Sequence, residues 1–197
     1  HMSSMEGGIS TTDDEELYHI LLSLRAHGWT RNLPKHNKIT PPKSDDPFEE
    51  SFRFVLPGYN VRPLELSGAI GVEQLKKLPN LIAGRRENAT IFQQIMTVHD
   101  DIIIQKECGD SSWFGFSMVL RPGAVRTRDE LRRSLAGKGF ECRPIVAGNF
   151  TLNPVMKYFN AEVHGNLTNA SHIHHNGLFI GNHHYDVSKA LDVLKTL

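Results

Sequence analysis

Almost every strand-like segment of this 197-residue chain lies beyond Asp101. Ahead of that point only Gly8 to Thr12 reads as a short strand, and three helical stretches follow it. One strand cannot shield the apolar faces of three helices, because layered folds bury each helix stripe against a sheet or against further helices. The first hundred residues are therefore expected not to close a core by themselves. Their uncovered apolar surface should favour association or swapping.

The rhythm of the sequence gives the elements. Thr12 or Asp13 is a candidate cap for a helix whose Leu17, Ile20, Leu21 and Leu24 recur at helical spacing, with Gly28 as stop. Acidic Asp13 to Glu16 suit its first turn. From Trp29 to Pro57 the chain is polar, carries Pro34, Pro41, Pro42 and Pro47, and has no periodicity. A loop of that length in a compact domain is functional or disordered. Helices are predicted at about Pro63–Leu78 and Pro79–Val98, divided at Pro79.

Beyond Asp101, Ile102 to Ile104, Trp113 to Leu120, Phe140 to Val146 and Leu178 to Ile180 read as strands. Thr127 and Glu130 form a capping box ahead of a helix. Short helices are expected around Pro154–Phe159 and Leu167–Asn176, with a closing helix from Val187 to Leu197. The pattern predicts a small α/β sandwich around a three-stranded sheet. Its boundaries divide the chain into residues 1–98 and 99–197.

Composition excludes several classes. Lys+Arg and Asp+Glu balance at 22 each, so no net field draws the chain to nucleic acid. No apolar run approaches membrane-spanning length and no basic-then-apolar leader opens the chain, which points to the cytoplasm. The two cysteines, Cys108 and Cys142, make neither a disulfide framework nor a metal pair. His172 and His175 stand one helical turn apart, a spacing zinc accepts, but no nearby Cys or Asp completes a set, and no metal is expected. Arg85-Arg86 and Arg132-Arg133 read as exposed helix faces.

The chemistry concentrates in Pro57-Gly58-Tyr59-Asn60-Val61-Arg62-Pro63, which runs on through Glu65 to Gly71. A Gly-containing turn, an amide and a guanidinium precede a helix start at Pro63, a favoured first helical residue. Two anion-seeking side chains beside free backbone N–H groups suit a phosphate or carboxylate. The same residues would also serve as plain turn and helix-start residues.

This segment resembles the GYN-x-R-x-x-E motif of the DegT/DnrJ/EryC1/StrS family of pyridoxal- and pyridoxamine-phosphate-dependent sugar aminotransferases and dehydratases. Met5-Glu6-Gly7-Gly8, Arg25-Ala26-His27-Gly28-Trp29-Thr30-Arg31 and Gly139-Phe140-Glu141-Cys142-Arg143-Pro144 are similar to further family segments in the same order. The stretches Asp45 to Phe54, Ala147 to Phe150 and Asn176 to Asn182 resemble its 4-keto-6-deoxyhexose 3-dehydratase branch. The resemblance covers essentially the whole chain.

It implies the C-terminal part of a fold-type-I α/β transferase: the last strand and helices of the large cofactor domain, then a small α/β domain. The implied reaction removes the C3 hydroxyl of a GDP-4-keto-6-deoxyhexose in colitose-type deoxysugar synthesis, with glutamate as amine donor and the cofactor ring as electron sink. The catalytic base falls immediately before residue 1, histidine for dehydration or lysine for amine transfer. This piece alone is thus expected to be inactive and not to retain cofactor. Asn60 and Arg62 would reach the cofactor phosphate, or the substrate beside it, of a neighbouring subunit in a homodimer. His27, Arg31, Phe52 and Glu141 would line the sugar pocket, with Arg143 nearby. Two cysteines cannot supply the four thiolates of the cluster-bearing CDP-sugar branch, so no iron–sulfur cluster is expected.

Other readings stay open. Glu141 and Arg143 alternate with Phe140 and Cys142, as a solvated strand face would. Phe52 and Phe54 alternate as strand core does, and His27 precedes a helix-ending glycine, where it suits the helix dipole. A sugar aminotransferase, or a non-catalytic module that docks on a partner, are the alternative functions.

Overall fold

Helix α1 (Glu15–Leu24) begins where the Asp14 carboxylate accepts hydrogen bonds from the backbone N–H groups of Glu16 and Leu17, at 2.9 and 3.0 Å. The cap is thus one residue later than the sequence suggests, and Thr12 instead accepts from the Asp14 N–H at 3.1 Å. Gly8 to Thr12 forms no strand. It has no neighbouring strand to complete a ladder, and a lone extended segment is not held.

The computed structural model describes all 197 residues and divides into two compact units, Met2–Lys76 and Lys77–Leu197. In the first, α1 is followed by the long loop, whose one helical turn is α2 (Pro47–Glu50), capped by Asp46. Of the buried apolar side chains only Ala26 and Leu33 belong to this unit. Phe48, Leu64, Leu66, Val72 and Leu75 are all exposed. The unit therefore has almost no apolar interior, as its shortage of strands implies.

Helix α3 (Glu65–Met96) is a single 32-residue element where the sequence suggests two. Pro79 lies inside it and removes one backbone donor, yet the turns on both sides continue. The helix starts two residues after Pro63, so Pro63 precedes it rather than opening it.

The second unit is built on a four-stranded antiparallel sheet, one strand more than expected. Its strands are β1 (Ile102–Ile104), β2 (Gly115–Leu120), β3 (Cys142–Arg143) and β4 (Gly177–Gly181), in the order β1-β2-β4-β3. Along β2, Phe116, Met118 and Leu120 are buried while Ser117 and Val119 are partly exposed, the alternation of a sheet covered on one face. Phe92 of α3 stacks on Phe116 with centroids 4.4 Å apart, and the capping-box helix α4 (Arg128–Gly137) adds Leu131 and Leu135. Each such side chain, fully removed from water, contributes about 1.5–3 kcal/mol.

Two further helices, α5 (Thr168–Asn176) and α6 (Ser188–Asp192), complete the unit, and α6 runs into a 3-10 turn over Val193–Thr196. Arg85 and Arg86 are not idle surface residues. Arg85 Nη1 donates to the carbonyls of Trp113 and Phe114 at 3.2 and 3.3 Å. Arg86 donates to those of Ser111 and Asp110. Both thereby tie the turn before β2 to α3. No helix is long and apolar enough to cross a membrane.

Candidate functional site

Helix α1 ends in a reversal that sets up the site. His27 and Gly28 both adopt left-handed backbone conformations, with φ of 64° and 81°. Glycine enters that region freely, whereas a residue with a Cβ does so at about 1–2 kcal/mol. The reversal lays residues 26–30 antiparallel to 53–60. Isolated bridges pair Ala26 with Asn60 and Trp29 with Phe54. The His27 N–H donates to Tyr59 O at 2.8 Å, Tyr59 N–H to Leu24 O at 2.7 Å, and Val55 N–H to Gly28 O at 2.8 Å.

Between these strands of backbone, the long polar loop is anchored on Glu50. Its carboxylate accepts from the Ser44 N–H at 2.9 Å, the Thr30 hydroxyl at 2.8 Å and Arg53 Nη1 at 2.8 Å. These bonds hold its carboxyl at about 2, well below the ordinary 4.5, the Ser44 backbone bond contributing most. Further polar bonds fix the loop, with Asn37 Oδ1 accepting from the Ile39 and Thr40 N–H groups and Lys43 Nζ donating to Leu33 O, and Leu33 is its one buried apolar side chain.

The aromatic residues gather around Trp29. Phe54 stacks on it with centroids 5.3 Å apart and planes 12° from parallel. Phe52 packs at 5.6 Å, and the His27 ring meets it edge-on at 5.8 Å and 84°. The Arg31 guanidinium carbon lies 4.0 Å from the ring centre, a cation–π contact. Three of the residues singled out from sequence, His27, Arg31 and Phe52, therefore converge on one indole. All three are exposed at their outer surface, Phe52 at 71%.

Asn60 and Arg62 follow on the same returning segment, both exposed, just ahead of α3. Arg62 takes part in none of the chain's ion pairs. Its guanidinium is therefore not committed to a carboxylate of this chain.

Glu141 and Arg143 belong to the other unit, at the edge strand β3. Arg143 Nη2 and Nε donate to the same Glu141 oxygen at 2.8 and 3.0 Å. An exposed pair of this kind contributes only about 0–1 kcal/mol, so a ligand can exchange for either partner. Arg143 also lines a shallow cavity of about 110 Å³ with Arg128, Arg132 and Cys142. Burial pushes the Cys142 thiol up, opposed by nearby Arg132.

The histidine-rich tail is engaged in structure. His172 Nε2 lies 2.8 Å from Leu120 O, and its other ring nitrogen lies 3.2 Å from Asn176 Nδ2. No three His, Cys, Asp or Glu side chains come together as a metal set.

Trp29 and Glu50 are the two organising residues not singled out from sequence. A signal for the first exists: His27, Trp29 and Arg31, like Phe52 and Phe54, recur with period two, as paired extended segments require.

A sequence profile described as the DegT/DnrJ/EryC1/StrS aminotransferase family matches residues 1–192. The chain is 59% identical over 192 residues to a GDP-4-keto-6-deoxy-D-mannose 3-dehydratase of Yersinia pseudotuberculosis, covering 97% of this chain and 49% of that protein. Among solved structures it is similar to the E. coli GDP-4-keto-6-deoxy-D-mannose-3-dehydratase with bound hydrated PLP. That match has a TM-score of 0.92 and 57% identity over 98% of this chain and 50% of the other. It is also similar to a variant of GDP-4-keto-6-deoxymannose-3-dehydratase with bound GDP-perosamine. There the TM-score is 0.87 and the identity 56%, over 94% of this chain and 48% of the other. The chain thus spans about half the length of the relatives it matches.

Proposed function

Because this chain belongs to the DegT/DnrJ/EryC1/StrS aminotransferase family and has the α/β fold of its aminotransferase-type members, we propose that it is the C-terminal half of a pyridoxamine-phosphate-dependent nucleotide-sugar 3-dehydratase. The substrate of the complete enzyme is a GDP-4-keto-6-deoxyhexose, its amine donor glutamate and its setting cytoplasmic deoxysugar synthesis of the colitose type. Residues 1–98 complete the large cofactor domain and residues 99–197 form the small domain. The catalytic base belongs to the half of the complete enzyme that this chain does not span.

The convergence of His27, Arg31 and Phe52 on Trp29 carries this reading. Arg31 offers a planar fork to diphosphate or sugar oxygens. Within the first unit His27 hydrogen-bonds a hexose hydroxyl and Phe52 covers an apolar sugar face; within the second, taken by itself, the Glu141 carboxylate that Arg143 holds is free to accept from a hydroxyl instead. Asn60 and Arg62 suit a phosphate: both are exposed, and Arg62 has no ion-pair partner of its own. They would hold the cofactor phosphate across a homodimer. The cofactor, when bound, supplies the electron sink that lets a hydroxyl leave beside a ketone.

The test is a chimera in which this chain follows the remaining half of the E. coli dehydratase. With PLP and glutamate it should convert GDP-4-keto-6-deoxymannose to the 3-deoxy product, while this chain alone should not. A 4-amino sugar as the sole product would establish the aminotransferase instead. A correctly folded chimera that binds cofactor but yields neither product would refute both.

A further inference from the structure

Arg31 has a long, exposed side chain that joins no ion pair, and freezing such a chain costs conformational entropy unless the fold has already ordered it. The group that orders it is the Trp29 ring, 4.0 Å away. The same ring is in contact with His27 at 5.8 Å and Phe52 at 5.6 Å. These three side chains come from two segments separated by most of the aperiodic loop, and Trp29 is what they share.

The indole is itself fixed. Its backbone pairs with Phe54, and the flanking rungs run from Thr30 N–H to Arg53 O at 3.1 Å and from Val55 N–H to Gly28 O at 2.8 Å. Its face is stacked by Phe54. The next residue, Thr30, is buried, and its hydroxyl is bonded to Glu50. A rigid plate at the centre of three otherwise untethered side chains is the arrangement that prepays the ordering a ligand would demand.

We infer that Trp29 is a positioning residue for the nucleotide-sugar site, holding the Arg31 guanidinium and the His27 and Phe52 rings in the geometry in which the ligand meets them. Trp29 has this role only if those three side chains face the sugar nucleotide, as proposed above.

The experiment uses the full 197-residue chain with GDP-mannose as probe, its affinity measured by isothermal titration. Trp29→Leu should weaken binding about tenfold, the equivalent of a cation–π contact and the ordering it provides, while Trp29→Phe should stay within about threefold of the parent. Added to Arg31→Ala, Trp29→Leu should cost little more, because both changes remove one shared arrangement. The Arg31 side-chain protons should show an aromatic ring-current shift that Trp29→Leu abolishes and Trp29→Phe retains. Losses that simply add, or an unshifted Arg31, overturn the role. Should Trp29→Leu not fold, Trp29→Met, which keeps side-chain bulk but removes the ring, paired with Arg31→Ala carries the same cycle. A parent that binds but is indifferent to Trp29→Leu removes the positioning role alone. A parent that shows the Arg31 shift yet binds no GDP-mannose, either alone or within the chimera described above, counts against the sugar-facing reading, and the role falls with it.

Discussion

A Cβ built on Gly58 would lie 2.0 Å from the backbone nitrogen of Gly28. The contact is reciprocal in kind, since a Cβ on Gly28 would lie 1.7 Å from Leu56 O. Backbone meets backbone here, so neither side can give way by rotating a side chain. Gly58→Ala should therefore force the two segments apart and cost about 3 kcal/mol, the upper range for overpacking. Hydrogen exchange would read it directly: the His27 and Tyr59 amides, which bond across this seam, should lose protection. Gly68→Ala is the control, because nothing stands within 4 Å of its added carbon and it lies within α3. It should stabilise by about 0.5–1 kcal/mol. Unchanged protection in Gly58→Ala would show that the seam is not tight.

The Glu50 anchor makes the long loop acid-sensitive. Its carboxyl titrates at about 2 in the fold against 4.5 unperturbed, so the fold favours the ionised form. The stabilisation is complete above about 4.5 and is lost as pH falls toward 2. The Ser44 amide, which donates to Glu50, should lose its exchange protection over that window. Glu50→Gln should weaken protection at neutral pH and flatten the acid response. An equally steep response in the glutamine variant would assign the acid sensitivity to another group.

Asn88 does for the second unit what Glu50 does for the loop. Its amide donates to His183 O at 2.9 Å and Tyr185 O at 2.8 Å, and its carbonyl accepts from Val187 N–H at 3.2 Å. The side chain is 1% exposed, so every one of these partners would be stranded by truncation. Asn88→Ala should lower the unfolding free energy by about 3 kcal/mol, with each abandoned polar group costing about 1–3 kcal/mol before any relaxation. Asn88→Asp keeps the acceptor for Val187 but sets a carboxylate oxygen against the His183 and Tyr185 carbonyls, and should destabilise at least as much as alanine. Thermal midpoints check this, with the parent highest and aspartate no higher than alanine; a neutral alanine variant would mean that water replaces the amide.

The elements that local sequence controls were legible. The Thr127–Glu130 box caps α4 as its letters suggest, and the alternation in β2 is the burial pattern of a one-sided sheet. What failed depended on context. Pro79 reads as a break, yet α3 continues through it at the loss of one donor. Gly8 to Thr12 has strand composition but no partner. The family pattern points to His27, Arg31 and Phe52 but not to the indole that joins them. Its importance arises from a pairing across a loop without periodicity, which no local window contains.

His27 holds a conformation that its own side chain opposes. With φ of 64° it occupies a region where glycine is the unstrained choice. Strain of this sort persists where the side chain is wanted for something else. His27→Gly should relieve the backbone while giving up the edge-on contact with Trp29 and the stiffness of a non-glycine residue. These terms oppose one another, and stability should stay within about 1 kcal/mol of the parent. His27→Ala keeps the Cβ strain and loses the ring, so it should be the less stable of the two. If His27 binds the hexose, the glycine variant should have near-parental thermal stability and clearly weaker affinity for GDP-mannose. Intact affinity in a stable glycine variant would assign His27 to the helix end alone.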